Sequence, residues 1–179
     1  MKIIGLAGLA RSGKDTIARH LAHYGYHDVA FADPLRAILR DVLNVPDQYM
    51  DVVKEAPIPP HGSSYRQLMQ TFGDAGRSIH QNFWIQLLES HIKEYADLST
   101  HIVVTDVRYL NEAFWVRNNG SLWHVRRPGQ DPAATRGHSS EAGIDPLHGE
   151  PILINDGDIH HLLDQVDQLM HQAKVGKQA

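Results

Sequence analysis

Gly8-Leu9-Ala10-Arg11-Ser12-Gly13-Lys14 has the spacing G-x-x-x-x-G-K, and each fixed position has a chemical reason. Glycines let successive backbone N–H groups turn inward around phosphate oxygens, and a helix that starts at the lysine adds its partial positive charge. The Lys14 ammonium then serves as a mobile cation for β- and γ-phosphates. A nucleoside triphosphate is the natural occupant, with Gly8, Arg11, Ser12, Gly13, Lys14, Asp15 and Thr16 as its expected contacts. A plain glycine turn with a surface lysine is the bland alternative. In this motif the residue after the lysine is usually Ser or Thr, whose hydroxyl ligates magnesium, but here it is Asp15, with Thr16 one place later. Asp15 could bind magnesium through water, cap the helix or balance Lys14, and Thr16 could hydrogen-bond a phosphate. A second carboxylate, Asp106, follows the most hydrophobic β-type run, residues 102–104, at the strand end where a triphosphate and its metal would lie. A helix cap or an ion pair with Arg108 would also explain it. Asp15, Thr16 and Asp106 are the candidate magnesium contacts.

These residues need elements to hold them. Residues 3–6 form a short apolar run that stops at glycines, and Ile17, Ala18, Leu21 and Ala22 follow at helical spacing, so the motif sits in a strand, turn, helix context. Residues 27–31 read as a second strand. Asp33 can then cap, and Pro34 begin, a helix with a stripe of Leu35, Ile38, Leu39 and Val42. Prolines 46, 57, 59 and 60 exclude a continuous helix between 45 and 64. Ser64 caps a helix carrying Leu68, Met69 and Phe72 up to Gly73, and a longer helix over 82–95 turns Trp84, Leu87, Leu88, Ile92 and Tyr95 inward. Further strands at 102–104, 122–125 and 152–154 alternate with a helix over 111–118, closed by Gly120, and a last helix bearing Ile159, Leu162, Leu163, Val166, Leu169 and Met170. The pattern predicts a three-layer α/β/α fold around a mostly parallel five-stranded sheet, with the ligand crevice at the strands' carboxyl ends.

A chain of 179 residues with 42% hydrophobic and 21% charged residues suits one globular domain, taken here as 1–173 with a frayed tail at 174–179. A formal charge of -4 gives no support to nucleic-acid binding. The absence of cysteine excludes disulfides and thiolate chemistry and fits a reducing compartment, the cytoplasm by default. No apolar run approaches the ~18 residues that span a bilayer, and residues 1–10 lack the cleavage site of a signal peptide. Thirteen histidines invite a metal reading, seeded by His20, His23 and His27 or by His160-His161. It is rejected because there is no HExxH and no carboxylate set nearby, and adjacent helical residues point to different faces.

Eight ordered blocks carry a specific resemblance: GLARSGKDT at 8–16, FADPLR at 31–36, YRQLMQTFGDAGR at 65–77, NFW at 82–84, TDVRYLNEA at 105–113, HVRRPG at 124–129, HSSE at 138–141 and INDG at 154–157. Together they resemble the deoxynucleoside monophosphate kinases of bacteriophages and related bacterial proteins, from the N-terminus to about Val166. The resemblance implies a P-loop kinase with an acceptor-binding helical region at 45–95 and a lid at 126–151. It also implies transfer of the ATP γ-phosphoryl group to a deoxynucleoside 5′-monophosphate, with magnesium as cofactor. If phage-encoded, the protein would work in the host cytoplasm. The Gly-Lys-Asp-Thr ending is a family habit, whereas Asp74-Ala75 and Tyr109-Leu110 depart from the commoner Thr-Glu-Trp-like and Phe-Pro stretches, so they bear on substrate preference.

Within that frame Arg66, Gln70 and Arg77 fall four and seven residues apart and can share a helix face. The two arginines suit a monophosphate, and Gln70 or Asp74 could read a base edge. Asp33, Arg36, Trp84 and Arg108 complete the acceptor set; a solvated helix face, a simple cap at Asp33 and a core role for Trp84 are the bland alternatives. Arg126, Arg127 and Arg136 could close over the phosphates, with Arg127 and Arg136 weighted most as groups facing the developing charge beside Lys14 and Asp106. His138, Ser140 and Glu141 match the family block without an assigned role, and the Asn155-Asp156-Gly157 turn reads as a helix cap or an adenine neighbour. Competing activities are a dephospho-coenzyme A or phosphomevalonate kinase, or a non-catalytic ATP-binding regulatory module. A homodimer is left open.

Overall fold

The structure is a computed structural model that describes residues 1–44, 54–59, 62–94, 101–130 and 143–175. It divides into two compact units, the first made of Met1–Ala30 with Tyr95–Ala179 and the second of Phe31–Glu94.

In the first unit the strands β1 (Ile3–Ala7), β2 (Tyr26–Val29), β3 (His101–Val107), β4 (Ser121–Arg126) and β5 (Ile152–Ile154) form one sheet in the order β2-β3-β1-β4-β5, every pair parallel. Central β1 is buried along its whole length, as expected of a strand covered on both faces. Its alternation assigns the layers. Ile4 and Leu6 join a core with Ile17, Ala18 and Leu21 of α1 (Lys14–Leu21) and Leu162, Val166 and Met170 of α6 (Ile159–Val175). Gly5 faces the other way, where a Cβ would come within 2.6 Å of Val116 on α5 (Leu110–Asn119).

Several boundaries differ from the sequence pattern for identifiable reasons. Ala22 leaves α1 for a short 3₁₀ turn, Ala22–Tyr24, and lies exposed. β2 ends at Val29, so Phe31 is buried beyond it rather than within it. Gly120 has φ -175, which is extended backbone and not a left-handed cap; glycine is needed because a Cβ would lie 2.1 Å from the Ile3 carbonyl oxygen. The short edge strand β5 is closed off by Gln165 of α6, whose amide accepts from the Ile154 N–H and donates to its carbonyl, both at 2.9 Å. This occupies groups that an open edge would offer to another strand. On the α5 side, Arg117 donates to Glu150 at 2.7 and 3.0 Å while buried His124 of β4 lies 2.8 Å from the same carboxylate. These contacts, with the Leu147 N–H, hold the Glu150 carboxyl down at about 2.

The second unit contains α2 (Asp33–Leu43), α3 (Tyr65–Ile79) and α4 (Phe83–Glu94). Its core joins Leu35 and Leu39 of α2 to Ile58, Tyr65 and Trp84, which is why the unit begins at Phe31 and takes in α2. Ala32, not Asp33, occupies the cap position of α2; Asp33 and Pro34 form its first turn. Ile38 and Val42 of the expected stripe are 41% and 67% exposed. Ser64 and Gln67 make a reciprocal capping box at the start of α3, worth about 1 kcal/mol. The helix does not stop at Gly73. Gly73 and Gly76 instead form a notch for Trp84, whose indole N–H donates to the Gly73 carbonyl at 2.8 Å and whose ring would sit 2.6 Å from a Cβ at Gly76.

Candidate phosphate-binding site

Strand β1 runs directly into the glycine loop, and the loop needs its glycines. Gly8 and Gly13 have φ of 156° and 112°, and a Cβ on Gly8 would meet the Val125 carbonyl oxygen at 2.4 Å. Arg11 adopts φ 62°, the left-handed region that costs a side-chain-bearing residue ~1 kcal/mol. Lys14 begins α1 and is 8% exposed; its Nζ donates to the Gly8 and Leu9 carbonyls, each at 2.7 Å. Among the described residues the Gly13, Lys14 and Asp15 N–H groups donate to nothing, as expected at an uncapped helix start. The Ser12 hydroxyl is buried and has no hydrogen-bond partner among them either. An arc of free amides, a buried hydroxyl and an ammonium is complementary to phosphate oxygens.

Burial lowers the Lys14 ammonium to about 8, and the Arg108 guanidinium pushes the same way, while Asp15 and Asp106 oppose them. The charges of Arg108, Asp15 and Asp106 therefore all act on Lys14. Asp106 owes its place to an irregularity in β3: Gly5 pairs with Val104 but Ala7 with Val107, so one extra residue is accommodated at Thr105-Asp106. Val104 and Val107 thereby both lie on the Gly5 face, and the polar pair emerges at the strand's carboxyl end, as bulges beside functional sites do. Glu112, 4% exposed on α5, pins the exit by accepting from the Arg108 and Tyr109 N–H groups at 2.8 and 3.0 Å. Oxygen donors from one or two carboxylates, with substrate phosphates completing the shell, are what magnesium takes. Asp15 and Asp106 fit that description, and among the described residues no group of three or more His, Cys, Asp or Glu forms a ready-made metal cage.

The structure brings Gly8, Arg11, Ser12, Gly13, Lys14, Asp15, Thr16, Asp106, Arg108 and Arg127 to one end of the sheet in the first unit. Arg127 is not extended over open space: its guanidinium donates to the Arg11 carbonyl at 3.4 Å. Sequence reasoning missed one neighbour, Gln130, and read another, Asn155, as a helix cap or an adenine neighbour. Gln130 Nε2 donates to the Ala10 carbonyl and Asn155 Nδ2 to the Ser12 carbonyl, both at 2.9 Å. The cap of α6 is Asp158, which accepts from the His160 N–H at 2.8 Å, so Asn155 is not the cap. Arg136, His138, Ser140 and Glu141 lie outside the described residues.

In the second unit, Arg66, Gln70, Gly73 and Arg77 line one stripe of α3. Arg66 is paired with Glu55 at 2.7 Å and Arg77 with Asp74 at 3.2 Å, and Arg36 is exposed. Trp84 corrects an expectation: at 6% exposure, with its N–H spent on Gly73, it is a core residue whose ring is not available to stack on a base.

The family model for deoxynucleotide monophosphate kinase matches residues 50–166, more than half of the chain. The chain belongs to the deoxynucleotide monophosphate kinase family. It is 25% identical over 151 residues to a deoxynucleotide monophosphate kinase of Escherichia phage RB69, covering 82% of this chain and 54% of that protein. It is 32% identical over 98 residues to an uncharacterized protein, ORF76, of Ictalurid herpesvirus 1, covering 52% of this chain and 41% of the relative. The chain thus spans about half the length of these relatives. Among solved structures, a dephospho-CoA kinase from Campylobacter jejuni has a similar fold at 11% identity, with a TM-score of 0.54 over 99% of this chain and 100% of that one. The fold is that of a P-loop kinase.

Proposed function

We propose that this chain transfers the γ-phosphoryl group of ATP to a deoxynucleoside 5′-monophosphate, giving the diphosphate and ADP. The observation that carries the reading is the range of the family match, residues 50–166, which omits the glycine loop at 8–14. The donor site and the family assignment therefore rest on separate stretches of sequence, and a generic phosphate loop alone does not account for both.

An acceptor phosphate oxygen attacks the γ-phosphorus as the bond to the β,γ-bridging oxygen breaks, and ADP carries away that electron pair. The attacking oxygen is already ionised, so no strong general base is required. The protein's task is positioning and charge. The free amides at Gly13, Lys14 and Asp15, with the Ser12 hydroxyl, hold the β-phosphate; Lys14 leaves the Gly8 and Leu9 carbonyls for the β- and γ-oxygens. Arg108 and Arg127 supply further positive charge, and Arg136 is assigned with them from the sequence. Magnesium, when bound with the nucleotide, neutralises charge on the β- and γ-phosphates; Asp106 and Asp15 would hold it, with Thr16 a further candidate. Arg66 and Arg77 take the acceptor phosphate, exchanging Glu55 and Asp74 for it, with Gln70 or Asp74 reading the base and Asp33 and Arg36 of α2 assigned to the same site from the sequence.

The test is ADP release from Mg-ATP with each common deoxynucleoside monophosphate, the matching ribonucleotides, dephospho-coenzyme A and a blank. Turnover that depends on deoxynucleotides supports the proposal. Turnover with dephospho-coenzyme A alone transfers the assignment to that kinase class, and ATP binding without any turnover favours a regulatory module.

A further inference from the structure

Five successive carbonyls of the phosphate loop each accept a hydrogen bond from a side chain. Lys14 takes Gly8 and Leu9, Gln130 takes Ala10, Arg127 takes Arg11, and Asn155 takes Ser12. In a trans peptide the C=O and the following N–H point to opposite sides of the chain, so a side chain that fixes a carbonyl also aims the next amide. By holding the Ser12 carbonyl at 2.9 Å, Asn155 turns the Gly13 N–H away from itself.

Asn155 is well placed to act as a fixed point. Its N–H donates to the Arg126 carbonyl at 2.8 Å, locking it to the end of β4, and its Oδ1 accepts from the Gly157 N–H at 3.2 Å. With Oδ1 so engaged, Nδ2 is the atom facing the loop. A Cβ at Gly13 would come within 2.7 Å of that Nδ2, so the glycine is required by the proximity of Asn155 as well as by its φ of 112°. The next turn of chain is capped by Asp158, leaving the Asn155 amide no helix-capping duty.

We infer that Asn155 is a positioning residue for phosphoryl transfer: it orients the Ser12–Gly13 peptide so that the Gly13 amide faces the triphosphate. The inference rests on the donor-site reading above. Gln130 makes the equivalent contact to the Ala10–Arg11 peptide.

The experiment compares wild type, Lys14→Ala, Asn155→Asp and Asn155→Ala in calorimetric titration with a non-hydrolysable ATP analogue, in steady-state kinetics for both substrates and in thermal melting. Asn155→Asp keeps the shape and the Gly157 contact but cannot donate at neutral pH. It is expected to weaken the ATP analogue and raise KM for ATP by about tenfold or more, the scale of one lost donor, while the acceptor KM stays at the wild-type value. Wild-type ATP affinity in Asn155→Asp overturns the inference. Equal loss with both substrates alongside a lowered melting temperature also overturns it, since that marks a merely structural residue. If wild type does not bind the analogue, or Lys14→Ala binds it equally well, the donor-site reading itself fails and takes the inference with it.

Discussion

Lys14 must carry a proton to greet a triphosphate, and in the ligand-free protein burial brings that proton's pKa down from 10.5 to about 8. The value of kcat/KM for ATP reports ionisations of the free enzyme, so it should fall above pH 8 along a limb of unit slope. At about pH 9 roughly a tenth of the lysines remain charged, and kcat/KM should be about tenfold below its neutral plateau. Bound phosphates favour the charged form, so kcat under saturating ATP should stay level over the same range. Initial rates of ADP release at subsaturating and saturating ATP, from about pH 6.5 to 10, separate the two. Lys14→Arg is the control, because a guanidinium does not lose its proton in this range. Its activity will be lower, but its kcat/KM should show no limb. A limb that persists unchanged in Lys14→Arg, or a wild-type profile flat to pH 10, would refute the assignment. The same depressed pKa has a stability consequence. Between pH 8 and 10.5 the unfolded chain holds a proton that the native chain has released, so apoprotein stability should rise with pH across that window by up to about 3 kcal/mol.

Replacing Arg66 or Arg77 by Ala should raise KM for the monophosphate by about tenfold to a hundredfold with little change in KM for ATP, as measured by varying each substrate in turn. The Glu150 carboxyl, held at about 2 by Arg117, contributes stability that is full above pH 4.5 and lost as the pH falls toward 2. Glu150→Ala should therefore cost about 3 kcal/mol at neutral pH, read by urea unfolding, and flatten the acid limb of the wild-type stability curve. Gly76→Ala should cost about 1–3 kcal/mol by driving a methyl into Trp84, whereas Gly25→Ala, open in space but at φ 80°, should cost nearer ~1 kcal/mol; thermal melts rank the two.

Much of this was legible in the sequence because local patterns carried it. The continuous apolar runs at β1 and β3, the Ser64 cap and the glycine spacing at 8–13 each express a requirement that falls within a few residues. What was not legible depends on partners distant along the chain. Gly73 looks like a helix terminator until Trp84 is seen seated against it and Gly76, and Gly120 looks like a cap until the Ile3 carbonyl is found against it. The roles of Gln130 and Asn155 reach the loop across 120 and 143 residues of sequence. Asn155 did leave one trace, since Asn-Asp-Gly is turn chemistry and Asp158, two residues beyond Asp156, was available to cap α6 instead.

The most direct test of the central claim follows phosphorus itself. Wild type and Lys14→Ala are each incubated with magnesium, ATP radiolabelled at the γ-phosphorus and a mixture of deoxynucleoside monophosphates, and the products are separated by chromatography. The account predicts label in a deoxynucleoside diphosphate with wild type and none with Lys14→Ala. Label appearing only in inorganic phosphate, or equal transfer by the two proteins, would contradict it.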